Sequence, residues 1–366
     1  MLQTRLVLRN TICLVAIATF AVACSDEDDS GSNDGSGGER SGSGGERSGS
    51  GGRTSSGGGA EGGGDGDNGG DGDGEGAGKC RVFPADSAWN LDISQYPVHE
   101  NSDNYVESVG LDDTMHPDFG TVWDGAPIGI PYLVVDAGTQ LTEIVYSAYG
   151  DESDPGPFPI PLDAPIEGGP DSDGDRHVIA VDQESCLLYE LYSAYPVGET
   201  WEAASGAVYD LSENDDHPEG CTSADAAGLP VFPGLVRYDE VVEQGEITHA
   251  LRFTVQKSQR AYVYPARHYA SNDTNTDLPA MGMRFRMKSS FDCGDFSQEA
   301  QVICAALKKY GMIVADNGSN WYLSGAPDSR CDDEALGDIK TIPGSAFEVV
   351  ETGDPLVTDA PDCSIE

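Results

Sequence analysis

Carboxyl side chains stand at three places where they suit catalysis. Asp225 lies among small residues in the stretch 222–230, Glu190 alternates with apolar and aromatic residues in a strand-like run, and Asp316 opens an Asp-Asn-Gly-Ser turn. Two carboxyl groups about 5–10 Å apart are sufficient for glycoside hydrolysis. We therefore predict Asp225, paired with Glu190 or Asp316, as the catalytic acid and base of a hydrolase. The alternative is structural: an acid at a helix N-terminus or in a turn.

A second reactive set follows a predicted strand. Arg267, His268 and Tyr269 place a cation, an imidazole and a phenol next to one another. A polysaccharide lyase needs a cation to neutralise a uronic acid carboxylate, and His or Tyr to remove the proton. The sequence therefore predicts these three as catalytic residues of a lyase. The alternative is a structural histidine bonded to a backbone carbonyl.

Three further residues are predicted to contact substrate. Arg176 and His177 open a strand, where they bind a carboxylate or form a salt bridge at the strand end. Trp321 offers a flat apolar face to a sugar ring, although most aromatic side chains in a β-sandwich belong to the core.

A short acidic segment resembles a calcium loop. Asp171, Asp173 and Asp175 present oxygens at alternate positions beside Gly174. An EF-hand is disfavoured, because its twelfth position would be Asp182 inside a predicted strand. Two interpretations remain, an irregular Ca²⁺ site and an acidic loop without an ion, and Ca²⁺ is the one cofactor that the sequence suggests.

Charge and missing motifs exclude several function classes. The chain of 366 residues has a formal net charge of −44, which opposes binding to nucleic acid and anionic lipid. It has no Walker loop, no strand-linked G-x-G-x-x-G, no G-x-S-x-G and no H-E-x-x-H. We therefore expect no nucleic acid and no nucleotide as partner, and we exclude elbow-type serine hydrolases and zincin proteases.

The elements that position these residues are mainly short strands. Gly, Pro, Asp and Asn separate β-rich runs that predict strands at 132–136, 141–147, 177–182, 187–193, 206–211, 247–255, 260–265, 282–288 and 347–351. Within 247–255 the apolar residues alternate with Arg252 and Thr254, which is typical of a half-buried antiparallel strand. We predict a mostly β fold, an antiparallel β-sandwich or barrel.

One helix and one hairpin have strong local signals. Asp295 or Ser297 can cap a helix at about 297–310, which Gly311 ends. The apolar runs 312–315 and 320–323 flank an Asn-Gly turn, which predicts a hairpin. A short helical turn is expected at 223–228.

The N-terminal part has the features of an exported lipoprotein. Residues 1–23 have a basic start and a short apolar core, and Ala21-Val22-Ala23-Cys24 resembles a lipoprotein box. We expect Cys24 to carry lipid that anchors the chain to a membrane, and Ser25 favours the outer membrane. Residues 24–79 are Gly-, Ser- and Asp-rich, repeat GSGGERS and predict a disordered tether. Residues 80–366 are expected to form a single folded domain.

The cysteine pattern predicts disulfides. Of nine cysteines, Cys13 leaves with the signal peptide and Cys24 is lipidated, so seven remain. An exported chain favours disulfides, here three bridges and one free thiol. Cys293–Cys304 is the best single pairing, because it staples a loop to the helix. A catalytic cysteine is the alternative for the odd thiol.

The folded part resembles a family of exported bacterial lipoproteins to which no reaction is assigned. The segments that carry the resemblance are HPDFG (116–120), DESDPGP (151–157), DRH (175–177), LYELY (188–192), TSADAAGLPVFPGLVRYDE (222–240), HALR (249–252), PARH (265–268) and DNGSNWYLSG (316–325). The resemblance implies membership and no catalytic residue. Similar sequences carry Trp where this one has Cys221 and Cys331, which implies a disulfide between those two.

These observations predict a cell-surface enzyme that acts on glycans by hydrolysis or by elimination. The alternative is a non-catalytic surface module that binds carbohydrate, calcium or a protein. The acidity of the chain fits calcium stabilisation or adaptation to salt.

Overall fold

A computed structural model describes residues 80–123 and 125–365, which belong to one compact unit. The predicted signal peptide, Cys24 and the tether lie outside the described residues. No helix in these two ranges is long and apolar enough to cross a membrane.

The described residues form a mostly β structure with three α-helices. The helices are α1 (Ser102–Val109), α2 (Gln298–Lys309) and α3 (Asp333–Leu336). The strands are β1 (His116–Asp118), β2 (Val122–Trp123), β3 (Ala126–Pro127), β4 (Tyr132–Val135), β5 (Glu143–Tyr146), β6 (Val178–Asp182), β7 (Leu187–Tyr192), β8 (Tyr195–Val197), β9 (Thr200–Ala203), β10 (Ser205–Asp210), β11 (Leu251–Val255), β12 (Arg284–Met287), β13 (Met312–Asn317), β14 (Tyr322–Ser324) and β15 (Phe347–Val349).

Two larger sheets carry the core. One has the strand order β1-β14-β11-β13-β12-β15 and the other β10-β7-β6-β4, while β5-β9-β8 and β2-β3 form smaller sheets. None of the sheets in the described ranges closes into a barrel, and several pairs are parallel, including β11–β13 and β4–β6. The predicted mostly β fold is confirmed.

Strand β6 shows why the four-stranded sheet is buried on both faces. Val178 and Ala180 pack in one apolar cluster with Trp201, whereas Ile179 and Val181 pack in the main core. Successive side chains of a strand point to opposite faces. The continuous apolar run of β6 therefore serves two cores at once.

Helix α2 forms where its local signals predict it. Ser297 is the N-cap and its hydroxyl accepts a hydrogen bond from the Ala300 amide. Lys308 and Lys309 lie in the last turn, where their positive charges interact favourably with the helix dipole. Helix α2 packs against β12 and α3. The short helix α1 was not predicted from the sequence.

The predicted hairpin at residues 312–323 is wrong. Strand β11 inserts between β13 and β14, pairing parallel with β13 and antiparallel with β14. Arg252 in β11 is buried and not on a solvent face as its alternation predicts. The sheet thus recruits a strand from far upstream, which the Asn-Gly turn cannot reveal.

Two other local predictions differ from the structure. Residues 260–265 form no strand, and only Tyr262 makes isolated bridges there, to Met281 and Val357. Residues 223–228 form turns and bends instead of a helical turn.

The disulfides are Cys80–Cys186, Cys221–Cys363 and Cys293–Cys304, and Cys331 is free. Three bridges with one free thiol are confirmed, as is Cys293–Cys304. The implied Cys221–Cys331 bridge is wrong, because the C-terminal segment brings Cys363 to Cys221.

Candidate functional site

A cleft with a volume of ≈ 370 Å³ brings four of the predicted catalytic residues together. Asp225, His268, Tyr269 and Asp316 line it. They come from three separate places in the sequence: the loop after Cys221, the loop after Pro265 and strand β13. The remaining lining residues are Tyr149, Glu152, Tyr192, Ser205, Thr222, Ser223, Ala224, Ala226, Ala270, Ser271 and Asn272.

The loop 222–228 holds Asp225 through its own hydrogen bonds. The Ser223 hydroxyl accepts from the Asp225 amide at 2.9 Å and donates to the Leu229 carbonyl at 2.7 Å. The Gly228 amide donates to the Asp225 carbonyl at 3.0 Å. Gly228 has a φ of +69°, and a Cβ there would lie 2.6 Å from the Cys221 carbonyl oxygen. The loop therefore needs glycine at this position.

Asp225 forms a buried ion pair with an arginine that the sequence analysis left out of the site. Arg252 Nη2 donates to Asp225 Oδ1 at 2.9 Å, and Arg252 Nη1 donates to Ser324 Oγ at 2.8 Å. Asp225 Oδ2 is buried and has no hydrogen-bond partner among the described residues. Burial raises the pKa of Asp225 to about 7 against the opposing effect of Arg252, and Asp316 raises it further. The carboxyl group thus holds a proton in a substantial fraction of molecules at neutral pH.

Asp316 is the second carboxyl group of the cleft. It lies within β13 and is half-buried, and its Oδ1 accepts from the Asn317 amide at 2.6 Å. Burial raises the pKa of Asp316, while the nearby Arg252 lowers it. Asp225 and Asp316 therefore share the field of one arginine but differ in burial. Two carboxyl groups in different surroundings are the arrangement that assigns an acid and a base in glycosidases.

His177 supports the cleft from inside the protein. Its Nδ1 lies 2.8 Å from Glu167 Oε2 and its Nε2 lies 3.0 Å from the Ala224 carbonyl. Burial lowers the pKa of His177, but the charge and hydrogen bond of Glu167 outweigh it and raise the pKa to about 9. The charged imidazole donates through both nitrogens, so it positions Ala224, the residue before Asp225. The predicted substrate contact of His177 has no free nitrogen to make it.

The predicted lyase residues are separated. His268 Nδ1 donates to the Ala226 carbonyl at 2.8 Å. The Tyr269 ring stacks on His268 with centroids 5.9 Å apart. Arg267 does not line the cleft. Its guanidinium pairs with Asp216 and lies 5.1 Å from the Tyr264 ring centroid. The cleft therefore receives the base candidates of the lyase set without its cation.

Glu190, Arg176 and Trp321 lie outside the cleft lining. Glu190 is fully buried, and its oxygens accept from the Val231 and Phe232 amides at 2.8–3.0 Å. Burial raises the pKa of Glu190 to about 7 although the two amides lower it. Both oxygens of the Glu190 carboxyl group therefore accept hydrogen bonds from backbone amides.

Arg176 and Trp321 are buried among backbone and core partners. Arg176 donates to the carbonyl groups of Ala194, Pro170 and Ser172. Trp321 packs among core aromatic rings, and its Nε1 donates to the Gly110 carbonyl at 2.9 Å. Neither side chain presents a free surface to a sugar.

The predicted calcium residues Asp171, Asp173 and Asp175 lie in an exposed loop. Within residues 80–123 and 125–365, no group of three or more His, Cys, Asp or Glu side chains is arranged to hold a metal ion. The calcium site therefore stays a prediction without a ligand set.

Sequence reasoning missed Arg252, Glu167 and the cleft tyrosines Tyr149 and Tyr192. Arg252 had one available signal, a charged residue in the middle of the apolar run of β11. The tyrosines had none, because their neighbours in the cleft are distant in sequence.

Comparison with known proteins gives no match: no family model, no curated protein and no solved structure is similar to this chain. The function must therefore be inferred from the geometry of the cleft.

Proposed function

We propose that this chain hydrolyses glycosidic bonds in the cleft around Asp225. The observation that carries the proposal is the buried Asp225 carboxyl, which lines a cleft shared with Asp316 and three tyrosines. One of its oxygens has no partner within the part of the chain that the structure describes. Polar groups that are buried without a partner cost stability, and they cluster where a ligand supplies the missing contact.

In the proposed mechanism, Asp225 is the general acid. Its pKa of about 7 keeps a proton available for the leaving oxygen at neutral pH. Asp316, more open to solvent, acts as the base or nucleophile. Arg252 bonds to Oδ1 of Asp225 and is the group that keeps the carboxyl oriented. Tyr149, Tyr192 and Tyr269 supply aromatic faces for sugar rings.

Elimination has less support than hydrolysis. The lyase hypothesis needs a cation beside the substrate carboxylate, and Arg267 is paired with Asp216 outside the cleft lining. His268 and Tyr269 nevertheless line the cleft, so the experiment must be able to detect both reactions.

The experiment uses the full chain, purified in detergent with calcium present, and a panel of neutral, acidic and amino polysaccharides. New reducing ends and the ultraviolet absorbance of unsaturated sugars are recorded together. We expect reducing ends alone, with a loss of at least about 100-fold in Asp225→Asn and in Asp316→Asn. Asp112→Asn, an exposed acid outside the cleft, is the matched control and should keep full activity.

Other outcomes redirect the proposal. Reducing ends together with ultraviolet absorbance would identify a lyase and point to His268 and Tyr269. Neither signal, from a folded chain, would favour a non-catalytic module that binds carbohydrate or another partner.

The proposed setting of this activity is the cell surface. The lipoprotein box at Cys24, the tether and the resemblance to exported bacterial lipoproteins support it. Cys24→Ser should move the chain from the membrane fraction to the soluble fraction. An unchanged membrane fraction would reject the lipid anchor.

A further inference from the structure

The cleft lining carries acidic side chains and no permanent cation. Glu152, Asp225 and Asp316 are carboxylic acids, and neither Lys nor Arg occurs among the lining residues that the structure describes. The imidazole of His268 is the only basic group of the lining, and its Nδ1 is bonded to a carbonyl.

The arginines around the cleft lie outside its lining. Arg260 lies over the Tyr269 ring, with its guanidinium 5.2 Å from the ring centroid. Arg252 is held by Asp225 and Ser324, and Asp316 and Glu167 also interact with its charge. Arg267 is paired with Asp216. An anionic sugar would therefore meet three carboxyl groups in the lining itself, and the net charge of −44 would repel it at long range.

One buried oxygen of the cleft, Asp225 Oδ2, lacks a protein partner among the described residues. The protonated Asp225 donates from this oxygen to an oxygen of the bound sugar, which any glycan can supply. An ammonium group on the same ligand would in addition compensate the charges of Asp316 and Glu152. Tyr149 and Tyr192 add aromatic side chains, which attract cations as well as sugar rings. The ring of Tyr269 already contacts Arg260 and His268.

We propose that the cleft selects glycans with free amino groups, that is, chains containing de-N-acetylated hexosamine. This inference rests on the proposed glycan hydrolysis and names its substrate class. The ammonium group of one sugar would lie near Asp316 and Glu152, while neighbouring rings contact the tyrosines.

Binding of oligosaccharides that differ only in this group tests the inference. The full chain in detergent is titrated by calorimetry with a glucosamine tetramer, an N-acetylglucosamine tetramer of the same linkage, and a galacturonic acid tetramer. A pH of about 5.5 keeps most of the amines charged. We expect the glucosamine tetramer to bind at least about tenfold more tightly than its acetylated counterpart, a preference that falls as salt is raised. We expect no binding of the uronic acid tetramer.

Variants locate the preference. Asp316→Asn and Glu152→Gln should each reduce the ratio of the two affinities, amino tetramer over acetylated tetramer, and thermal unfolding of the same samples shows that each variant is folded. Asp112→Asn should keep the preference. Equal binding of the two tetramers, binding of the uronic acid tetramer, or equal competition by an oligolysine of the same charge would overturn the inference.

Failure of this inference is distinguishable from failure of the proposed reaction. Cleavage of neutral glycans without preference for amines would reject the substrate class and keep the hydrolase. Tight binding of the amino tetramer without cleavage would keep the selectivity and reject the hydrolase.

Discussion

The buried carboxyl groups of this chain differ in how the protein occupies their oxygens. Asp225 leaves Oδ2 without a partner among the described residues, whereas Glu190 uses both oxygens to accept from the Val231 and Phe232 amides. We therefore expect Asp225 to act on substrate and Glu190 to anchor the backbone. The amide of Glu190→Gln can still accept from both N–H groups through one oxygen, since Oε1 lies within 3.0 Å of each.

Glu190→Gln should nevertheless cost about 1–2 kcal/mol of stability, because its amide nitrogen replaces Oε2, which lies 2.8 Å from the Val231 nitrogen and accepts its N–H. Glu190→Ala should cost about 2–4 kcal/mol because it leaves two buried donors unpaired. Chemical denaturation measures both free energies of unfolding, and the hydrolysis assay is run on the same samples. If Glu190→Gln abolished hydrolysis with unchanged stability, Glu190 would be catalytic as the sequence predicts.

The loop 222–228, which holds Asp225, is fixed from outside by a disulfide. Cys221 precedes residues 222–228, and its bond to Cys363 ties the loop to the C-terminal segment across 142 residues of sequence. Cys363→Ser should cost about 2–5 kcal/mol of stability. It should also lower activity, because the loop that holds Asp225 loses its covalent link to the C-terminal segment. Thermal unfolding and the hydrolysis assay check this expectation.

Cys331 provides the matched control for that substitution. It is the free thiol of the described residues, and burial raises its pKa to about 11, so it is a poor nucleophile at neutral pH. Cys331→Ser should leave both the unfolding temperature and the activity unchanged. Equal effects of the two substitutions would show that the disulfide does not support the loop.

Elements with local determinants are predictable from this sequence, and elements made by distant partners are not. Helix α2 has its cap Ser297, its basic last turn and Gly311 within a few residues, so its limits follow from the sequence. The residues after β13 have the sequence pattern of a hairpin, but β11 lies between β13 and β14 in the sheet. No residue near this turn indicates that β11 inserts there. The role of Arg252 could not be predicted for the same reason, because its partner Asp225 lies 27 residues away in the sequence.

The site shows the same division. Asp225, Asp316, His268 and Tyr269 are recognisable as polar groups in small or apolar surroundings, and the fold gathers them in one cleft. Arg267 is adjacent to His268 in the sequence, but its guanidinium pairs with Asp216 outside the cleft lining. Residue type therefore indicates candidate site residues, and the packing of separate loops determines which of them lie in the same cleft.

For the whole molecule, the buried titratable groups predict greater stability in mild acid than in mild base. The folded state raises the pKa of Glu190 and Asp225 to about 7, so it keeps protons that the unfolded chain releases near pH 4. Stability contributed by these acids therefore falls as the pH rises from about 4 to 7. His177, with its pKa raised to about 9, contributes stability that is complete below about pH 6.5 and is lost as the pH rises through 9.

The three groups act in the same direction, and the repulsion within a chain of net charge −44 also grows as the pH rises. Below about pH 4 the trend reverses, because Glu167 and Glu240 have lowered pKa values and lose their stabilising charge on protonation. We expect the unfolding temperature of the full chain, measured at constant ionic strength, to be highest at about pH 4.5–6 and to fall steadily towards pH 9. Glu190→Gln should flatten the part of this curve below pH 7, and His177→Gln the part above it. An unfolding temperature that rises from pH 5 to pH 8 would contradict this account of the buried charges.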